Sequence, residues 1–390
     1  MKIAIIGAGV SGVTCAIDLK SRGYDVKIFE KNDRALKKLL TTGNGRCNYF
    51  NKVMSRDNFH GNDAFLDAFF KAYEDSDFKK GLFFLESIGM QSTIDSRGRY
   101  YPMSLQASSV VEAMLNIIDN LGIEIELNSE IVDIEYSNGF NIFTKDRGYF
   151  FDRVVLAAGS QSYPNLGTDG GSYRLADSLG HKRTKILPGI GSLICDVKYN
   201  RELKGLRLEG KINYDGLNSP GDILFTENGI SGSAVFESSS YILRNNIKDI
   251  NIDFMPQVSK EELGEILYSR VEKFSTLFEV FNGLVHKRLY RVILKMMQLK
   301  PEMDSKILNI NQAVNLLKSF PIGNIKGGSW ANSQVTVGGI DLKDIDYTLE
   351  SKLIKGLYFC GECLDVDGDC GGYNITWALI SALNVSNNMR

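Results

Sequence analysis

The chain has 390 residues, which is longer than one ordinary domain, and its 43% hydrophobic and 24% charged residues are typical of a folded globular protein. A net charge of −2, with no basic stripe evident in the sequence, argues against a nucleic-acid partner or an anionic membrane surface. No apolar run reaches the ~18 residues of a membrane span. The six cysteines are scattered and indicate reduced thiols, so we expect a cytoplasmic protein.

The first thirty residues predict a strand, a glycine turn, a helix and a second strand. Lys2–Ile6 is a short apolar run, helical spacing follows as far as Lys20, and a strand at 26–29 ends at Glu30. The pattern then predicts a helix at 110–121, a strand at 123–127, a meander over 131–151 and a buried strand at 154–158.

The composition changes near residue 190. Residues 192–255 are strand-like, with turns expected at 218–221 and 227–229, whereas 259–320 has helical spacing that includes one amphipathic helix at 277–296. Strand patterns return after Pro321, and a last helix begins near Asn374. We therefore expect an α/β fold with a discontinuous Rossmann-type domain. The expected segments are 1–190 and 321–390 for that domain, 191–257 for a β-rich insert and 258–320 for a helical insert.

Three glycines after the first strand have the spacing of the dinucleotide fingerprint. In that motif Gly7 makes a tight turn, Gly9 lets a diphosphate approach backbone N–H groups, and Gly12 allows helix–strand packing. Glu30 stands where an acidic residue binds a ribose hydroxyl. We expect the neighbouring residues Val10, Ser11 and Lys31 to contact the cofactor as well.

The fingerprint alone does not separate NAD from FAD, and the C-terminal strand decides between them. Residues 356–362 form a strand that ends on Gly361 and Glu362, and in two-part FAD domains such an acid meets the ribityl hydroxyls. Gly371 and Gly372 then open the final helix, whose dipole would stabilise negative charge on a reduced flavin. The alternative is a tight loop before a docking helix. The further candidates are Tyr373, Asn374 and, after the strand at 154–158, Ala158 and Gly159.

A glycine-rich polar loop occupies residues 41–48. Its candidate cofactor contacts are Asn44, Gly45, Arg46 and Cys47, because backbone donors in such a loop can wrap a cofactor. Arg46 could face a diphosphate or an anionic substrate. An exposed Asn-Gly turn explains the same composition.

These motifs, in order along nearly the whole chain, resemble a known family. They are GAGVSG (7–12), TGNGRCN (42–48), GRYYPMSLQASSVV (98–111), LAAGSQSYPNLGTDGGSYRLADSLGH (156–181), LFTENGISG (224–232) and GLYFCGECLDVDGDCGGYNITWAL (356–379). The chain resembles the bacterial FAD-binding oxidoreductases that include aminoacetone oxidase and BaiN-type flavoproteins. The resemblance implies non-covalent FAD in a Rossmann-type domain that is interrupted by a β-barrel-like insert and a small helical domain. It also implies an adenine contact through the backbone of Val132. The Glu227-Asn228 pair departs from relatives that carry a histidine there.

We expect an FAD-dependent oxidoreductase that moves a hydride between flavin N5 and a small or medium organic substrate, as an ene-type reductase or dehydrogenase. NAD(P)H as a transient donor, another donor and oxygen remain open. The candidates for substrate orientation or proton transfer are Arg46, Tyr101, Tyr163 and Tyr373. Three alternatives remain: an amine oxidase of aminoketone type that releases peroxide, a flavoprotein acting on or binding RNA, and a non-catalytic redox sensor.

No metal site is expected, because none of the three histidines lies near the cysteine cluster in sequence. Cys360 and Cys363 have dithiol spacing, but they follow a strand and precede an acidic loop. We therefore interpret them as packing residues rather than as a redox pair.

Overall fold

The chain alternates short strands with helices, and the computed structural model describes residues 1–71 and 78–389. The strands are β1 (Lys2–Ile6), β2 (Asp25–Phe29), β3 (Phe50–Asn51), β4 (Phe59–Gly61), β5 (Ser92–Ile94), β6 (Arg99–Pro102), β7 (Glu124–Glu126), β8 (Asp133–Tyr136), β9 (Phe140–Phe143), β10 (Gly148–Phe151), β11 (Arg153–Leu156), β12 (Leu187–Gly189), β13 (Leu193–Asp196), β14 (Arg207–Tyr214), β15 (Leu217–Phe225), β16 (Gly229–Ser231), β17 (Ile250–Asp253), β18 (Phe320–Gly327), β19 (Val335–Val337), β20 (Leu357–Phe359) and β21 (Val366–Gly368). The helices are α1 (Val10–Ser21), α2 (Asp63–Lys71), α3 (Lys79–Ser87), α4 (Ala107–Asn120), α5 (Gly171–Ser178), α6 (Asn200–Leu203), α7 (Ser233–Arg244), α8 (Lys260–Lys273), α9 (Leu277–Phe281), α10 (Lys287–Met296), α11 (Ile310–Lys318) and α12 (Tyr373–Asn388). In the described part of the chain, no helix has both the length and the apolar character that a membrane crossing requires.

The chain forms two units, of which unit 1 comprises Met1–Leu187 and Gln334–Arg390. Its central sheet is parallel, with the strand order β20-β11-β1-β2-β7. The middle strands are continuous apolar runs because both faces of a parallel sheet are normally covered, and Ile3, Ala4 and Ile5 are fully buried. Pairing of β20 with β11 brings the C-terminal part of the chain into the sheet that β1 begins.

Unit 2 comprises Pro188–Ser333 and contains a closed antiparallel barrel with the order β13-β16-β15-β14-β17-β18. Strand β14 shows the expected alternation, since Gly210, Ile212 and Tyr214 are buried while residues between them are more exposed. Helices α6 to α11 belong to the same unit. The fold class predicted from sequence is therefore confirmed: a Rossmann-type sheet, a six-stranded barrel and additional helices.

The boundary between the units differs from the predicted one. The predicted nucleotide domain resumed at residue 321, but β18 begins at Phe320 and closes the barrel against β13 and β17. The second part of unit 1 therefore begins at Gln334. Sequence patterning marked only the return of strand character after Pro321, which does not say to which sheet the strand belongs.

Three local predictions in unit 2 also differ from the structure. The region predicted as β-rich contains helix α7, and the helix predicted over 277–296 is broken between α9 and α10, where Gly283 has φ +78°. The turn predicted at 218–221 lies inside β15, and the chain turns at Asp215 and Gly216, both with positive φ. Pro220 is tolerated because only β14 flanks that stretch of β15.

His181 is expected to make the stability of unit 1 depend on pH. Its side chain is buried, Nε2 lies 2.8 Å from Ser351 Oγ, and burial lowers its pKa from the usual 6.5. As the pH falls below about 6.5, the unfolded chain binds this proton first, so folding becomes less favourable. The free energy of unfolding is measured by chemical denaturation at neutral pH and at pH near 5. The difference between these two values is expected to be smaller for His181→Gln than for the parent. An equal difference would contradict this assignment.

Candidate functional site

The turn between β1 and α1 contains the three glycines of the fingerprint. Gly7 has φ +106°, and a Cβ there would lie 2.5 Å from Ala158 Cα. A Cβ at Gly12 would lie 2.0 Å from the Gly7 carbonyl oxygen, whereas a Cβ at Gly9 would have no neighbour within 4 Å. Gly7 and Gly12 therefore permit close backbone packing, and Gly9 leaves open space before the first turn of α1.

Glu30 follows β2 and lies beside this turn. One carboxylate oxygen accepts a hydrogen bond from Ala8 N–H at 2.8 Å, and the other accepts from the backbone and side-chain amides of Asn32 at 2.8 and 2.7 Å. The side chain is only 8% exposed. Because each carboxylate oxygen can accept more than one bond, Glu30 is fixed in position and keeps acceptor capacity for a ligand hydroxyl.

The turn and Glu30 border a cavity of unit 1 that encloses about 1360 Å³ of empty space, including its open mouth. Glu362, which follows β20, and Trp377 of α12 line the same cavity. Residues distant in the sequence therefore surround one space. The predicted cofactor contacts that line it are Gly7, Gly9, Val10, Ser11, Glu30, Lys31, Ala158, Gly159, Glu362 and Asn374.

Lys38 is a candidate that the sequence patterns did not single out. Its Nζ donates to Glu362 Oε2 and to Ser162 Oγ, both at 2.6 Å. The Ser162 hydroxyl donates to Glu362 Oε1 at 2.8 Å, and the Thr336 N–H donates to the same oxygen at 3.0 Å. Three donors thus hold the Glu362 carboxylate against the cavity. The available sequence signal was the Lys37-Lys38 pair before the glycine-rich loop.

The cavity matches the charge distribution of a dinucleotide. The first turn of α1 has neither an acidic residue nor a side-chain cap, so its N–H groups and the positive end of its dipole are available to an anion. Lys31, Arg34 and Lys37 line the same space. Lys31 pairs with Asp169 at 2.6 Å. Burial by itself would raise the pKa of the Asp169 carboxyl, but the pair with Lys31 outweighs burial and the pKa is lowered below its usual value. The residues present fit the diphosphate of FAD.

The start of α12 is tied to the segment around β3. The Asn51 side-chain amide donates to Gly371 O at 3.1 Å, and the Tyr373 hydroxyl donates to Val53 O at 2.8 Å. A Cβ at Gly372 would lie 2.6 Å from backbone atoms of Phe50, so glycine is required for this contact. Burial raises the pKa of Tyr373 to about 12.

The loop at 41–48 turns sharply through consecutive residues with positive φ, which include Asn44 at +56° and Gly45 at +80°. Arg46 is exposed, and its guanidinium lies 5.1 Å from the centre of the Tyr101 ring. Cys47 is fully buried, and burial raises its pKa to about 12. The thiol is therefore protonated near neutral pH and is unsuited to act as a nucleophile.

Other predicted contacts lie outside the lining of the cavity as far as the structure describes it. They are Gly12, Asn44, Gly45, Arg46, Cys47, Val132, Gly361, Gly371, Gly372 and Tyr373, together with the catalytic candidates Tyr101 and Tyr163. The Val132 N–H donates to Phe143 O at 2.8 Å within the meander, and the neighbouring Ile131 lines the cavity instead. An adenine contact through the Val132 N–H would therefore require this bond to break.

Several lining residues were not among the predicted cofactor contacts. They are Ser129, Glu130, Thr168, Asp169, Gln334, Val335 and Trp377. They come from loops after β7 and β11, from the first residue of β19 and the one before it, and from α12, so only the folded chain brings them together. Thr168, Asp169 and Trp377 lie within motifs that carry the family resemblance, but those motifs did not single them out as cofactor contacts.

The cysteines near β20 are packing residues in the structure. Cys360 and Cys363 are fully buried. A hydrogen bond with Cys15 and burial raise the pKa of Cys360, and burial raises that of Cys363, which disfavours a reactive thiolate. Within residues 1–71 and 78–389, no three His, Cys, Asp or Glu side chains are placed to hold a metal ion.

Comparison with solved structures supports the architecture. A 3-ketosteroid-delta4-(5alpha)-dehydrogenase from Rhodococcus jostii RHA1 has a TM-score of 0.50 and 13% identity, with 100% of this chain and 96% of that chain covered. A 3-ketosteroid delta1-dehydrogenase from Sterolibacterium denitrificans also has a TM-score of 0.50, at 12% identity, covering 99% and 98% of the two chains. At such identity the likeness shows the fold alone.

Sequence comparison is more specific. A 3-dehydro-bile acid delta(4,6)-reductase from Clostridium scindens is 30% identical, with 97% of this chain and 96% of that protein covered. Ribosomal RNA dihydrouridine synthases from Haemophilus influenzae and Escherichia coli K12 are 28% and 26% identical, each over 97% of this chain and 96% and 95% of their own lengths. The family described as HI0933-like protein Rossmann domain matches residues 1–388. The chain therefore belongs to the HI0933-like Rossmann family, which confirms the resemblance inferred from its motifs, and it is an FAD-dependent oxidoreductase.

Proposed function

We propose that this chain reduces a carbon–carbon double bond conjugated to a carbonyl group in a small or medium organic molecule, with FAD in the cavity of unit 1. The main support for placing FAD there is that the glycine turn and Glu362 line the same cavity. The names of the curated relatives support the reaction class. A 3-dehydro steroid with delta(4,6) unsaturation and the uracil ring reduced to dihydrouridine both contain a double bond conjugated to a carbonyl.

Residues around the glycine turn would bind the adenosine diphosphate part of FAD. The N–H groups at the start of α1 donate to the phosphates, and Lys31, Arg34 and Lys37 balance their charge. Glu30, already fixed by Ala8, accepts a bond from a ribose hydroxyl. This arrangement would fix one end of the cofactor.

Residues from the C-terminal part of the chain would bind the flavin end. When bound, FAD supplies hydride transfer. Glu362, kept in place by Lys38, accepts bonds from the ribityl hydroxyls. The N-terminal end of α12, at Gly372, favours negative charge on the ring. The Tyr373 hydroxyl donates a hydrogen bond to the Val53 carbonyl, so we assign this tyrosine to holding the loop rather than to proton transfer.

Arg46, Tyr101 and Tyr163 remain the candidates for orienting substrate. Arg46 is exposed, and stacking on Tyr101 limits its range of orientations. A guanidinium in this position is suited to bind a carbonyl or carboxylate oxygen of the substrate. Tyr163 is half-buried, with φ +58° at the start of a short turn.

The reaction is tested by anaerobic mixing of the reduced holoprotein with 4-androstene-3,17-dione or 2-cyclohexenone. We expect the flavin absorbance at about 450 nm to return, because a conjugated double bond can accept the hydride. Cyclohexanone, which has the carbonyl without the double bond, is the matched control and is expected to leave the flavin reduced. Separate arms with NADH and NADPH test the proposed transient donor.

Mixing experiments that follow the flavin absorbance also distinguish the alternative functions. Reduction of the oxidised flavin by aminoacetone with oxygen uptake, and no response to either enone, would replace this proposal by an amine oxidase. Absence of turnover with every donor and acceptor would indicate a redox sensor.

A second candidate is reduction of a uracil base in RNA, since two relatives of lower identity are named ribosomal RNA dihydrouridine synthases. It uses the same bond type on a different substrate. Reoxidation of the flavin by uridine-containing RNA, but by neither enone, would select it.

A further inference from the structure

Helix α10 in unit 2 carries only cations among its charged residues. Lys287, Arg291 and Lys295 are exposed and separated by four residues, so they form a row along one face with about 6 Å between successive positions. Like charges at this spacing destabilise an isolated helix. The opposite face is apolar, and its residues, including Leu289 and Ile293, are buried in unit 2.

Helix α6 extends this surface. Arg288 Nε donates to Glu202 O at 2.7 Å, and Arg288 also donates to Lys204 O. Lys295 pairs with the Glu202 carboxylate at 2.6 Å and lies 4.4 Å from the centre of the Tyr199 ring. We define the basic face as Arg201, Lys204, Lys287, Arg288, Arg291 and Lys295.

The basic face has more cations than its own carboxylates neutralise. Glu202 pairs with Lys295, and a second carboxylate, Glu227, pairs with Lys204 at 3.2 Å. Among the described residues, Lys287 and Arg291 have no ion-pair partner, although both are exposed. Uncompensated positive charge is thus concentrated on one surface of a chain whose net charge is −2.

We infer that the basic face binds the phosphate backbone of RNA. A linear row of exposed cations suits a linear polyanion, since each released counterion favours binding. A membrane surface fits less well, because a helix that lies in a membrane interface needs a free apolar face and that of α10 is buried. The choice of RNA over DNA rests on the second candidate function above, whereas the inference of a phosphate-binding surface does not.

The balanced overall composition, with 45 basic and 47 acidic residues, masks this surface in the sequence, and only part of it is contiguous along the chain. Arg288 and Glu202, which are in contact, are separated by 86 positions. Four of the six cations nevertheless fall within the nine residues 287–295 of α10.

The test uses the full-length FAD-bound protein and a short fluorescein-labelled oligouridine, with binding followed by fluorescence anisotropy. We expect affinity to fall steeply between about 50 and 200 mM salt. The double variant Lys287→Gln/Arg291→Gln is expected to bind about tenfold more weakly and to reduce the slope of log affinity against log salt by about 1.4, because two phosphate contacts are lost. Lys287→Arg/Arg291→Lys keeps both charges and should retain binding.

A matched control is Lys248→Gln/Lys260→Gln, which removes two exposed cations from other elements of unit 2 and should bind like the parent. An unaltered flavin spectrum and melting temperature show that each variant is folded. Absence of salt-sensitive RNA binding would overturn the inference. So would an equal loss of affinity in Lys287→Gln/Arg291→Gln and in the Lys248→Gln/Lys260→Gln control, or tighter binding of DNA with the corresponding sequence. So would binding to phosphatidylserine vesicles without binding to RNA. Enone reduction is measured separately, so its failure is distinguishable from failure of this inference.

Discussion

Replacing Gly12 by valine is expected to abolish FAD retention and to destabilise the protein. Any Cβ at this position would lie 2.0 Å from the Gly7 carbonyl oxygen, and the atom in the way is backbone that cannot rotate aside. Gly7 cannot shift easily, because it is itself confined by Ala157 and Ala158. Overpacking of this kind costs about 1–3 kcal/mol or more. FAD per chain, measured by absorbance, and the urea midpoint report the two effects.

Two glycine variants serve as controls for this prediction. Gly9→Ala meets no atom within 4 Å, so the protein is expected to fold normally while FAD binds more weakly, because the methyl group occupies space before α1. Gly264 lies in helix α8, and a Cβ there also has no neighbour within 4 Å. Gly264→Ala should therefore raise the free energy of unfolding by roughly 0.5–1 kcal/mol through helix propensity. Parent-like FAD content in Gly12→Val would contradict the packing assigned to this turn.

Replacing Lys38 by methionine is expected to weaken FAD binding by about tenfold. The change leaves the Glu362 carboxylate, which is 22% exposed, without its countercharge and without one hydrogen bond. A partly buried carboxylate that loses its partner costs about 1–3 kcal/mol of free energy. A loss of about 1.4 kcal/mol corresponds to a tenfold change in affinity. Titration of the apoprotein with FAD, followed by flavin fluorescence, measures the loss directly.

Lys37→Met is the matched control for Lys38. Lys37 also lines the cavity, but its partner Asp33 is 72% exposed and 3.3 Å away, so their ion pair contributes little. If Lys38 acts through Glu362, the effects of Lys38→Met and Glu362→Gln should be less than additive in the double variant. Full additivity, or a larger loss in Lys37→Met, would show that Lys38 acts elsewhere.

Sequence patterns predicted the parts of the fold in which the local preferences of the residues agree with the tertiary structure. The β1–α1–β2 unit and the start of α12 lie where the apolar periodicity and the glycines placed them. Helix α7 was missed because it contains three consecutive serines, which have weak helix propensity. Its Ser238 hydroxyl is satisfied by the Ala234 carbonyl one turn earlier, and burial rather than propensity stabilises the helix.

The candidate site shows the same division. Gly9 and Glu30 belong to one local motif and could be predicted, whereas Lys38 meets Glu362 across 324 positions of sequence. No periodicity links two such residues, and only the pairing of β20 with β11 brings Glu362 to the cavity. The flavin side of the site is therefore a property of the assembled sheet rather than of any one segment.

Titration of the apoprotein with FAD, with FMN in a parallel arm, tests the central claim most directly. The account predicts one FAD per chain and markedly weaker binding of FMN, because FMN lacks the adenosine part that Glu30 and Lys31 would hold. A protein that remains colourless and takes up no FAD, or one that binds FMN as tightly as FAD, would contradict it.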